Sequence, residues 1–267
     1  MKKFLKILKI CIWTLLVAGA LVLVGFVEVN QYNRTCRTVR IAIDYGMTDI
    51  LVTKEDLDSI VRKTAGSLIG KPLGYINTGL IEKAISRQPY VARVSVYENN
   101  EGDIFIDVRQ REPVLRIINR RYETFYLDEA GAFLPVNPDF SARVLVANGA
   151  IDDSYSKNPN YRVNVMALSD SIYYDSLMTS LYKLSMYISH DKFLKAQIDQ
   201  IYVNAQREFE LIPRIGDHVI LLGTASNLEA KFQKLYAFYR FGLNKIGWNK
   251  YNVINIKYKD QVVCSKI

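Results

Sequence analysis

The chain holds little with which to do chemistry. Histidine occurs twice in 267 residues, and neither His190 nor His218 stands at a spacing from Asp, Glu, Cys or the other His that would build a metal-ligand set. His218 follows Asp217, but a Gly216-Asp217 turn into a strand accounts for that pair without a hydrolase site. The nucleophile elbow Gly-x-Ser-x-Gly is missing. Gly66-Ser67-Leu68-Ile69-Gly70-Lys71 has three residues between its glycines where a phosphate loop has four, and Pro72 stands where Ser or Thr would hold magnesium. Glu55, Asp56 and Asp58 cluster near the start of a predicted helix, and the macrodipole favours acidic side chains in a first turn without any catalytic reason. Cys11, Cys36 and Cys264 are too few and too scattered for a disulfide framework. These absences point away from catalytic, cofactor-binding and metal sites. The net charge is +8, and setting aside Lys2, Lys3, Lys6 and Lys9 leaves +4 on the rest. That is too mild to argue for nucleic acid.

What is present begins with an uncharged apolar run from Ile10 to Val27. As a helix its 18 residues span roughly 27 Å, close to the hydrocarbon thickness of a bilayer. Four lysines precede it and no acidic residue occurs before Glu28. By the positive-inside bias the N-terminus is expected in the cytoplasm and everything after Glu28 outside. Ala18-Gly19-Ala20 offers the alternative of a cleaved signal peptide. The apolar run, however, continues through Leu21-Val22-Leu23-Val24-Gly25-Phe26-Val27, which favours a stop-transfer anchor. The expected organisation is a cytoplasmic tail (1–9), a transmembrane helix (10–27), a juxtamembrane linker (28–37) and two exported domains (38–112 and 113–267).

In the first of these, Val39, Ile41 and Ile43 alternate with polar or small residues, the pattern of a strand with one buried face. Thr53 with Asp56 is a capping box, Leu57, Ile60 and Val61 form the helix's apolar stripe, and Gly66 stops it. Asn77 caps a second helix with Leu80, Ile81, Ala84 and Ile85 on one face, and Pro89 ends it. Strands are expected from Val91 to Tyr97 and from Ile104 to Val108, joined by a turn at Asn99, Asn100 and Gly102. The order is β-α-α-β-β. That order, with Gly70-Lys71-Pro72-Leu73, Ile76-Asn77, Pro89 to Val96 and the closing Val108-Arg109-Gln110-Arg111-Glu112-Pro113, resembles the POTRA module as the bacterial cell-division family FtsQ/DivIB carries it.

From Val114 the pattern changes to short strands, at Val114 to Ile118, Phe125 to Leu127, Gln197 to Val203, Glu208 to Ile212 and Val219 to Leu222. A helix is marked by Leu177, Leu181, Leu184 and Ile188, another by Leu228, Phe232, Leu235 and Tyr239, and a last strand runs from Asn252 to Tyr258. Tyr126-Leu127-Asp128 with Gly131 and Pro135, Lys231-Phe232 with Leu235, and the ending Ile256 to Val263 again resemble FtsQ/DivIB. The fold class is α+β: a single N-terminal transmembrane helix, a POTRA domain, then a mixed α/β domain whose sheet is mainly antiparallel.

The resemblance implies a non-enzymatic divisome scaffold of the cytoplasmic (inner) membrane at the division septum. It implies partners too: bitopic coiled-coil proteins like FtsB and FtsL, bound by β-augmentation at the last strand, and other septal proteins at the second strand edge of the POTRA domain. Carried onto this chain, the partner-binding positions are Ile254, Ile256, Tyr258, Lys259, Gln261, Val262 and Val263. For Ile254 and Ile256 the alternative is that they face the core. The competing functional readings are a POTRA chaperone or translocation component, which would usually accompany an outer-membrane barrel, and an anchored cell-wall hydrolase or transferase.

Overall fold

The alternation at Val39, Ile41 and Ile43 builds strand β1 (Thr38–Asp44) in the computed structural model, which describes residues 13–20, 34–46, 48–163 and 176–266. Of the apolar run 10–27 only 13–20 are described. They are helical, with Trp13, Leu15, Leu16 and Val17 exposed, and the rest of the expected anchor and tail lies outside the described residues. Among the described residues no helix is long and apolar enough to cross a membrane.

The chain divides into two units. In the first, β1 is followed by α1 (Lys54–Ala65), a 3-10 turn (Leu73–Tyr75), α2 (Thr78–Ile85), β2 (Val91–Glu98) and β3 (Asp103–Gln110). The capping box closes both ways: the Asp56 amide donates to Thr53 Oγ1 at 3.1 Å and the Thr53 amide to Asp56 Oδ2 at 2.9 Å. Asn77 Oδ1 accepts the Leu80 amide at the start of α2. Leu57, Val61, Ile81 and Ile85 are buried, whereas Leu80, assigned to the apolar face from sequence, is exposed.

The sheet order is β1-β3-β2, with β1 parallel and β2 antiparallel to β3. Opposite the buried Ile104, Ile106 and Val108 of β3, the other side of the sheet carries a cross-strand row. Arg40 lies 5.6 Å from the Phe105 ring, and Phe105 stacks on Tyr97 at 5.3 Å. Residues 34–37, expected in a linker, are tied into this unit. The Cys36 amide donates to Lys71 O and the Gly70 amide to Cys36 O. The Cys36 thiol is buried and its pKa is raised, by burial first and by Asp103 second.

The second unit comprises Tyr45–Leu51 and Arg111–Ile267. Its elements are β4 (Pro113–Ile118), β5 (Thr124–Asp128), β6 (Phe133–Pro135), β7 (Leu145–Gly149), α3 (Leu177–His190), α4 (Lys192–Gln197), β8 (Ile198–Val203), β9 (Phe209–Pro213), β10 (Val219–Gly223), α5 (Leu228–Ala237), β11 (Tyr251–Asn255) and β12 (Val263–Lys266). A π-helical stretch (Phe238–Leu243) and a short turn of helix (Asn244–Ile246) continue α5. One mixed sheet contains all nine strands in the order β12-β11-β10-β9-β8-β7-β4-β5-β6. The pairs β4/β7, β7/β8 and β10/β11 are parallel and the others antiparallel.

Leu181, Leu184 and Ile188 of α3 and Phe232 and Leu235 of α5 join Phe125, Ile201, Phe209, Leu211, Ile220 and Ile254 in one core, with Tyr187 stacked on Phe232 at 5.1 Å. The closing Arg-Gln-Arg-Glu motif has visible work. Gln110 Oε1 accepts the Val52 amide in the first unit, and in the second Arg111 meets the buried Asp128 at 2.7 Å, whose other oxygen holds the Ala132 amide of the β5–β6 turn.

His218 is buried, its Nε2 2.9 Å from the Tyr239 hydroxyl. Gly216, at φ 95°, leaves room for the ring: a Cβ there would stand 2.6 Å from His218 Cε1. Burial lowers the His218 pKa, while Asp217 and the Trp248 backbone oppose it. The folded chain therefore keeps the ring neutral at a pH where the unfolded chain, with a value of about 6.5, takes up a proton. Stability is expected to fall as pH drops below about 6.5. Thermal unfolding between pH 7.5 and 5.5 should show this loss, and His218→Gln should flatten the slope.

Candidate protein-interaction site

An Asn255 side chain that turns back on its own backbone decides where the last sheet edge lies. Asn255 Oδ1 accepts the Lys257 amide at 3.0 Å, so regular pairing in β11 ends at Asn255 rather than at Tyr258. The chain then loops through 256–262, with Asp260 at φ 57°, and returns as β12 antiparallel to β11. The strand read from sequence as Asn252 to Tyr258 is thus shorter than expected. It is also covered on both sides: Ile254 registers with Ile220 of β10 and with Cys264 of β12. Among the described residues, this end of the sheet is the edge of β12.

This placement separates the seven expected positions into two groups. Ile254 and Ile256 are 0% exposed and belong to the core, which corrects their assignment as partner-binding side chains. Tyr258 is 50% and Val263 44% exposed, Lys259 and Gln261 are exposed, and Val262 is half-buried against the core. The five thus sit together on the loop and at the start of the edge strand. An edge carries amides and carbonyls that an incoming strand can pair, and a half-exposed Tyr beside it supplies apolar area with a wet hydroxyl. Cys264 is a free thiol, its pKa raised by burial.

Lysines hold the loop in shape. Lys234 Nζ, from α5, donates to Ile256 O at 3.0 Å and also to Tyr258 O. Lys257 meets Glu208 at 3.0 Å. Beneath them Lys231 is buried and donates to Thr224 O at 2.7 Å. Its pKa is lowered, first by burial and then by Lys234 and Lys257, with Glu208 opposing. The sequence gives no sign of this bracing, because Lys234 and Glu208 lie 24 and 49 residues from their partners on the loop.

In the first unit β2 is an edge strand, but part of that edge is occupied: the Val96 amide donates to Glu82 Oε2 at 3.3 Å. A strand adding to β2 at this point has to displace a carboxylate. Glu82→Ala should leave the unit folded within about 1 kcal/mol and raise exchange of the Val96 amide with solvent deuterium, as measured by NMR. Unchanged Val96 protection would mean that Glu82 does not guard the edge.

Among the described residues no three His, Cys, Asp or Glu side chains group as a metal site. With this geometry in place, comparison with family models matches residues 112–265 to the family described as FtsQ/DivIB, C-terminal related, and residues 34–109 to a POTRA-like domain. Comparison with curated proteins returned no match.

Proposed function

Because the chain belongs to the FtsQ/DivIB C-terminal-related family, whose match spans 112–265, we propose that it serves cell division as a non-enzymatic scaffold. Through its C-terminal edge it binds an FtsB-like bitopic coiled-coil protein paired with an FtsL-like one. It links them to septal peptidoglycan synthesis outside the cytoplasmic membrane, held there by the apolar run 10–27 as a single-pass anchor. Its POTRA-like unit contacts other septal proteins. The observation that carries this reading is the edge strand β12, which ends the nine-stranded sheet beside the exposed Tyr258 and Val263 in the domain the family model matches. Partner binding at such an edge draws on backbone pairing for affinity and on a few side-chain anchors for selectivity. The test is titration of the full-length chain in detergent micelles with the membrane-distal segment of the host's FtsB-like protein. Saturable binding supports the scaffold reading, and no binding rejects it in favour of a client-strand chaperone.

A further inference from the structure

Three hairpin tips share one build, and two of them place a side chain where the third has glycine. In 99–103, 119–123 and 204–208 an asparagine opens the turn and its amide donates to the carbonyl of Asp103, Glu123 or Glu208, each at 3.0 Å. In each, the asparagine Oδ1 also accepts the amides two and four residues on. The fourth residue has positive φ: Gly102 at 92°, Tyr122 at 61° and Arg207 at 60°. A Cβ in that region is strained, so glycine fits there without cost while Tyr and Arg do not. Arg207 interacts with Asp153 of its own chain. Tyr122, 88% exposed, gains nothing from the core to offset its backbone conformation. Such a residue points to a use outside the folded chain.

The tip is also held by hydrogen bonds to the body of its unit. Asn119 is 3% exposed and its Nδ2 donates to Glu123 Oε2 at 3.0 Å and Asp153 O at 2.9 Å. Glu123 further accepts the Ser154 hydroxyl and the Ser156 amide, and these donors together outweigh burial and lower its pKa. Arg120 and Arg121 form the turn itself. Asp152 lies 3.4 Å from Arg120, and its carbonyl accepts Arg121 Nη2 at 3.0 Å. The Asp152 carboxylate thus meets Arg120 alone while Arg121 rests on a backbone carbonyl, and with the Glu123 oxygens turned to Asn119, Ser154 and Ser156 the exposed turn presents two guanidinium groups beside a projecting ring.

We propose that Arg120-Arg121-Tyr122 is a docking element that inserts into an apolar pocket bordered by carboxylates on a folded protein partner. A convex tip needs a concave receptor, the guanidinium groups select an acidic rim, and Tyr and Arg are the side chains most enriched among interface anchors. Because the tip is held before it meets a partner, little ordering is left to complete on binding.

The test places p-benzoylphenylalanine at position 122 of the full-length chain in host membranes and irradiates them. A protein adduct of one discrete mass is expected, reduced at least tenfold when Arg120 and Arg121 are both replaced by Glu. The protein so identified should bind the native chain and lose at least tenfold in affinity for Tyr122→Gly, while that variant melts no lower than the native chain. Lipid adducts alone, no adduct, an adduct indifferent to charge reversal, or a Tyr122→Gly chain that melts lower would each overturn the proposal. If the double charge reversal fails to fold, the Tyr122→Gly affinity and melting measurements still decide it.

Discussion

Replacing Ile256 with aspartate is expected to unfold the second unit, not to weaken an interface on a folded one. Ile256 is fully buried in the core formed by Ile220, Leu222, Phe232 and Leu235, and its amide donates to Leu221 O at 3.1 Å, the bond that closes the β10–β11 ladder. Truncating a buried Ile costs about 2–5 kcal/mol, and a buried unpaired carboxylate adds to that. A loss of 4 kcal/mol or more is of the order of a whole domain's stability. Ile254→Ala, at the β10–β11–β12 junction, is expected to cost about 3 kcal/mol by the cavity it leaves. Urea unfolding followed by tryptophan fluorescence would register both, since Trp248 packs on the same core. A folded, cooperatively melting Ile256→Asp chain that has lost only partner binding would show that the side chain faces out.

These two isoleucines show where sequence patterning stops. Alternation revealed that Ile254, Ile256 and their strand have one apolar face, but period-2 pattern cannot distinguish a face turned to the core from one turned to a partner. It also could not distinguish an edge strand from a covered one, because that depends on β12, four residues whose exposed Val263, Ser265 and Lys266 carry little hydrophobic signal. β7 and β6 escaped for related reasons. Leu145–Gly149 contains Asn and Gly and is recruited by parallel pairing to β4 and β8, while Phe133–Pro135 is three residues long and ends in proline. Where the signal was local, it was legible. The Thr53 capping box, the Asn77 cap, the Asn99 turn and the α3 stripe of Leu181, Leu184 and Ile188 each rest on side chains within one or two turns of chain. The Lys234 brace on the 256–262 loop and the Glu82 cap on β2 join side chains to backbone far away in sequence, and only the folded chain brings them together.

Tyr258→Ala should raise the Kd for the FtsB-like segment by roughly thirtyfold, about 2 kcal/mol, with the chain's unfolding unchanged to within about 0.5 kcal/mol. The asymmetry follows from position. Half of Tyr258 is already in water, so the fold loses little when the ring goes, whereas a partner lying along β12 would cover the exposed half and lose that burial in the variant. Val263→Asp, at the first position of the edge strand, should weaken binding comparably, since a charge facing an incoming strand opposes its desolvation. Lys234→Met provides the control on the loop's shape: it releases the Ile256 and Tyr258 carbonyls while leaving every edge side chain in place. Binding lost in Tyr258→Ala and Val263→Asp, but reduced only a few-fold in Lys234→Met, would assign the affinity to the edge and its anchor. Equal losses in all three would assign it to the loop's conformation. Native affinity in Tyr258→Ala and Val263→Asp together would move the partner site away from β12, because no partner pairing along that strand can avoid both side chains.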